Sequence, residues 1–203
     1  MKMENGILID LERTVNKMST WFRCKIEGIS KEQLKPFLTE KADGDVYLDF
    51  NKIVTVPENL QFHNGMSLND GVEMVKRHIV AVELMKLLTN NICNENSSTD
   101  MFSEWLAWTK KNWGTTVQPI EFEIFENFIY ISTIDSAPIP VFKKLSELLG
   151  AKIKIAYASD IFGYDTGRMV FECGKIVSEF YPENNSNESE RIFIESWYYE
   201  MED

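Results

Sequence analysis

At 203 residues, 44% of them hydrophobic and including 13 Phe, 7 Tyr and 5 Trp, the chain can build one substantial core without staples. Its 32 acids and 21 bases give a net charge of −11, which disfavours nucleic-acid binding unless a local basic patch exists. Cys24, Cys93 and Cys173 are odd in number, far apart and form no C-x-x-C pair, so neither a disulfide framework nor a zinc site is indicated.

The first readable element is "TWFRCKI". Phe22, Cys24 and Ile26 alternate with Trp21, Arg23 and Lys25, the period of a half-buried strand. Ser30 and Gln33 form a capping box that opens a short helix burying Leu34, Phe37 and Leu38, with Pro36 expected to shorten or bend it. "VYLDFNKIV" at 46–54 reads as a strand that stops by Pro57. Val72, Val75, Ile79, Val82 and Met85 then fall at helical spacing, and Asp100 is the expected cap of a second helix carrying Phe102, Trp105, Leu106 and Thr109.

The strand signal returns in "FEIFENFIYIST", a strand or a hairpin turning at Glu126–Asn127. Pro138 and Pro140 pre-set a helix whose buried face is Val141, Phe142, Leu145, Leu148 and Leu149, and Gly150 ends it. "AKIKIAY" is a further alternating strand, and "GRMVFECGKIVSEFY" a hairpin with Gly174 in its turn. Polar runs at 41–45, 89–100 and 182–190 read as loops. Two β-α-β units with an inserted helical segment at about 66–113 imply an α+β, ferredoxin-like sandwich: a mostly antiparallel sheet with helices on one face.

Charge is uneven along the chain. Residues 176–203 hold eight acids and only Arg191 as a base, so 182–203 reads as an acidic C-terminal segment. The start lacks a basic stretch followed by an apolar run, and no segment approaches span length, so a protein of the reducing cytoplasm is expected.

"MSTWFRCKIEGISKEQLKPFL", from Met18, resembles the N-terminus of the YubB-like family, phage, plasmid and pathogenicity-island proteins with a ferredoxin-like domain. "LDFNKIVTVPENL", "WLAWTKKNWGTT", "STIDSAPIPVFKKLSELL" and "YASDIFGYDTGRMVFECGKIV" resemble later family segments in the same order. The resemblance covers roughly 18–181, which makes that the single domain and 1–17 an N-terminal extension; "GILIDLERTV" within it is apolar enough to be expected to pack. The chain departs from the family at Phe22, where a cysteine is usual, at Thr116-Val117, at Ile134 or Asp135 in place of a tryptophan, and at Ala137 in place of a proline. The resemblance implies fold and genomic habitat, and no catalytic activity comes with it.

Candidate chemistry is sparse. His63 and His78, the only histidines, lie 15 apart without metal-ligand spacing and read as solvent-facing or capping residues. Asp160, Tyr164 and Asp165 share the loop "SDIFGYDTG", which invites a cation or general-acid reading but lacks EF-hand spacing and is equally explained as a turn. Cys24 and Cys173 have no base nearby in sequence to make them nucleophiles. Trp105, Trp108 and Trp113 beside Lys110 and Lys111 form an alternative ligand surface able to stack bases, although packing on the sheet explains three indoles more simply.

No catalytic residues, metal or cofactor are therefore expected. The leading expectation is a non-enzymatic accessory protein of a phage or other mobile element that binds a host or phage protein. An anti-CRISPR or anti-restriction inhibitor of a host defence nuclease is the concrete form, with Glu188, Glu190, Glu195 and Glu200 as the binding acids. The alternative is a nucleic-acid or small-ligand module that uses the sheet or the Trp-Lys helix; a third is an enzyme with a carboxylate site at 159–167. Nucleic acid and membrane are not expected partners, and the sequence does not specify an oligomeric state.

Overall fold

A computed structural model describes residues 20–40, 44–60 and 98–198. The expected helix around 72–85, the extension 1–17, His63, His78, Cys93 and Glu200 lie outside the described residues.

Strand β1 (Trp21–Glu27) buries Phe22, Cys24 and Ile26 on one face, as the alternation requires. Helix α1 (Lys31–Leu34) opens on the expected capping box: the Gln33 N–H donates to Ser30 Oγ at 3.3 Å and the Ser30 N–H to Gln33 Oε1 at 2.9 Å. Pro36 follows in a 3-10 turn, which cuts the helix short. Of the apolar trio expected there, Leu34 is buried and Phe37 and Leu38 only half-buried.

The strand expected over 46–54 is corrected. β3 (Val46–Leu48) pairs only with β2 (Leu38–Glu40) in a separate two-stranded sheet. Asp49 then caps a turn of helix, α2 (Phe50–Ile53), its carboxylate accepting the Asn51 N–H at 2.9 Å. Side chains distant in sequence hold that cap, since Thr39 donates to Asp49 at 2.9 Å and Gln118 at 3.0 Å. A local strand signal thus yields to a tertiary hydrogen-bond network.

Helix α3 (Ser98–Asn112) runs through Asp100 instead of starting there, so the expected cap is an interior position and 98–100 is not loop. β4 (Glu121–Ile124) and β5 (Phe128–Ile134) form the hairpin about Glu126–Asn127. Helix α4 (Ile139–Leu149) buries Val141, Phe142 and Leu145 and ends at Gly150, whose φ of 56° is left-handed. Leu148, expected inside, is 49% exposed. β6 (Lys152–Ser159), β7 (Gly167–Glu172) and β8 (Lys175–Phe180) follow, the last two joined by Cys173 and Gly174, both with positive φ.

The main sheet has six strands in the order β4-β5-β1-β6-β7-β8, every neighbouring pair antiparallel. One face carries Cys24, Ile26, Ile131, Ile153, Ile155 and Phe171 against α4, in a cluster that reaches Leu34, Phe50 and Trp113. Each such side chain removed from water contributes roughly 1.5–3 kcal/mol.

The opposite face is covered too. Helix α5 (Asn187–Trp197) starts at Ser186, whose Oγ accepts the Ser189 N–H. It packs chiefly on β6, where Ala156 and Ala158 are small enough for close approach. Tyr130 donates to the Glu195 carbonyl at 2.9 Å and Trp197 Nε1 to the Ser159 carbonyl at 2.9 Å. Helices therefore lie on both faces, not one. The loop expected at 182–190 is helical from Asn187, and the acidic segment is part of the fold as far as Trp197.

Candidate functional site

At one end of the sheet, the start of β1, the end of β6, the start of β7 and the start of α4 surround a cleft of about 540 Å³. That volume falls within the range of ordinary ligand sites, roughly 300–1,000 Å³. Phe22, Ala137, Ile139 and Pro182 supply its apolar wall. Asp135, Ser136, Asp165, Thr166, Asn184 and the phenols of Tyr157 and Tyr181 supply its polar groups, and among the described residues no lysine, arginine or histidine lines it.

Hydrogen bonds, most of them between residues distant in sequence, build the wall of the cleft that precedes α4. The Asp135 N–H donates to the Thr20 carbonyl at 2.8 Å, and Thr133 donates to the Ser136 carbonyl at 2.8 Å. Thr115 donates to the Ile134 carbonyl at 2.6 Å, and the Ser136 hydroxyl donates to the Gly114 carbonyl. A side chain at Gly114 would meet Pro140 Cδ at 2.7 Å, and its φ of 81° suits glycine, so that close approach needs a glycine. Asp135 itself holds a φ of 76°, and Lys110 lies 3.6 Å from its carboxylate.

The other wall is the β6–β7 loop. The Asp165 N–H donates to Asn184 Oδ1 at 3.1 Å, and the Asn185 N–H donates to the Gly163 carbonyl at 2.8 Å. These bonds tie the loop to the stretch leading into α5. Asp165 has no ion-pair partner among the described residues. Thr166 is 5% exposed, lines the cleft, and its buried Oγ1 has no hydrogen-bond partner among the described residues.

Tyr157 lies across from Gly167 with its ring 6.5 Å from that of Phe22. Burial pushes its phenol well above the ordinary range, and nearby Tyr181, Cys24, Asp165 and Glu179 add to the shift. Every charge-bearing neighbour that acts on this phenol is thus an acid. Tyr181 is raised as well, by desolvation and by Glu179, to which it donates a hydrogen bond of 3.1 Å.

The expected site residues are scattered. Glu188 and Glu190 occupy the first turn of α5, where the helix dipole favours acids, and two residues apart they do not share a face. Glu195 faces the sheet instead, pairing with Arg168 at 2.5 Å. Trp113 is 2% exposed and donates to the Val54 carbonyl at 2.8 Å. Trp105 and Trp108 meet it edge-on and are half-buried in the same core, so the three indoles offer no open stacking platform. Lys110 reaches Asp135 and Lys111 is exposed.

Cys24 is fully buried and its thiol is pushed far up by desolvation, the opposite of an activated nucleophile; Cys173 is exposed in a turn. Asp165 joins the cleft whereas Asp160 is not among its lining residues. Among the described residues no three His, Cys, Asp or Glu side chains converge as metal ligands. Sequence patterns missed the cleft because its polar groups, Asp135, Ser136, Tyr157, Asp165, Thr166, Tyr181 and Asn184, come one or two at a time from separate segments.

The fold and cleft define an α+β protein built on a mostly antiparallel six-stranded sheet with several helices, and an acidic, aromatic cleft at the sheet end. Among the described residues no helix is long and apolar enough to cross a membrane. No family model matches the chain, and no curated protein does. Among solved structures, protein api92 from Yersinia pseudotuberculosis, of the family labelled DUF1281, is similar with a TM-score of 0.38 and 7% identity over 81% of this chain and 97% of that one. That likeness is too slight to carry a functional argument.

Proposed function

We propose that this is a non-enzymatic, cytoplasmic binding protein that receives a basic stretch of a partner protein in the cleft. In line with the YubB-like resemblance, it acts as an accessory factor of a phage or other mobile element, against a host defence nuclease complex. The observation that carries the reading is the lining of the cleft: two aspartates and two phenols beside an apolar wall, with no base among its described lining residues. Nucleases present basic grooves, and an acidic surface that fits one is steered towards it electrostatically.

Two further points support the reading. The order β4-β5-β1-β6 with antiparallel neighbours supports a ferredoxin-like reading of those four strands, β7 and β8 being added at one edge. In addition, Phe22 and Ala137, where the chain departs from the YubB-like pattern, both line the cleft.

Affinity capture from bacterial lysate tests the proposal. The wild-type chain should retain a basic protein at low salt and release it as salt rises, and the Asp165→Asn/Tyr181→Ala variant should not retain it. Equal capture by wild type and variant would sink the reading.

A further inference from the structure

We draw no further inference here: the strongest candidate, the exposed apolar patch that Phe162 of the β6–β7 loop forms with Phe193, Ile194 and Tyr198 of α5, carries none because nothing in the structure shows what covers it.

Discussion

Gly167 lies directly across the β6–β7 ladder from Tyr157, and a Cβ at that glycine would sit 2.5 Å from the phenolic oxygen. The ring therefore lies where a neighbouring side chain would otherwise stand. The absent side chain is what lets the phenol reach the cleft beside Phe22. Gly167→Ala must displace that ring, at a cost of about 1–3 kcal/mol typical of overpacking. In a Tyr157→Ala background the same change should cost much less. Urea unfolding of the four variants measures this, and equal costs in both backgrounds would contradict the contact.

Thr166→Val tests the cost of a buried hydroxyl. The substitution keeps the shape and deletes a buried hydroxyl that has no partner. Stability should stay level or rise, by up to about 1–3 kcal/mol, the usual penalty of an unsatisfied buried group. A drop in the thermal midpoint would show that the hydroxyl is bonded within the free protein.

The C-terminal helix α5 should behave as part of the core. Ile192 is fully buried there, so Ile192→Ala should cost about 2–5 kcal/mol. Glu188 is exposed on the same helix, and Glu188→Gln should change stability by no more than about 0.5 kcal/mol. Chemical denaturation of both variants decides it; an indifferent Ile192→Ala would make the helix a dispensable appendage.

Stability should fall on the alkaline side. The Cys24 thiol is raised from an ordinary 9.0 and the Tyr157 phenol from an ordinary 10.0, each first by burial. Below pH 9 both groups are protonated in folded and unfolded chains alike, so neither penalises folding. As pH rises past 9 and then 10, the unfolded chain loses these protons while the folded one keeps them, and the unfolded state gains. The urea midpoint should therefore drop between pH 8.5 and about 11, and Tyr157→Phe should flatten the upper part of that drop. A midpoint independent of pH in this window would refute it.

Thiol labelling should divide the cysteines by burial. Cys173, exposed in the β7–β8 turn, should react in the native protein, and Cys24 only after unfolding. Peptide mapping after a timed pulse of iodoacetamide reads both sites. Fast native labelling of Cys24 would mean that the sheet opens readily at β1.

Much of the fold is legible along the chain because its signals are local. Phe22, Cys24 and Ile26 fall at period two, Ser30 and Gln33 face each other across one helical turn, and Gly150 supplies a left-handed φ. The misplaced elements depend on distant partners. "VYLDFNKIV" has strand propensity throughout, yet Thr39 and Gln118 hold Asp49 as a helix cap. The segment after 186 reads as a charged tail, yet it forms a helix that packs on β6 and buries Ile192 and Phe193.

The candidate site follows the same division. The acids of α5 are conspicuous in sequence, and one of them, Glu195, is spent on Arg168. Asp165 was visible in its loop, but nothing nearby in sequence links it to Phe22, Asp135 or Tyr181.

By itself, the sequence determined the net acidity, most strand and helix positions, and the glycines and caps that end them, because these depend on neighbours within a turn or two. Only the tertiary structure decided which acids remain unpaired and which aromatics border the cleft. Those properties arise where β1, β6, β7 and α4 converge, and chain closure across more than 100 residues brings them together.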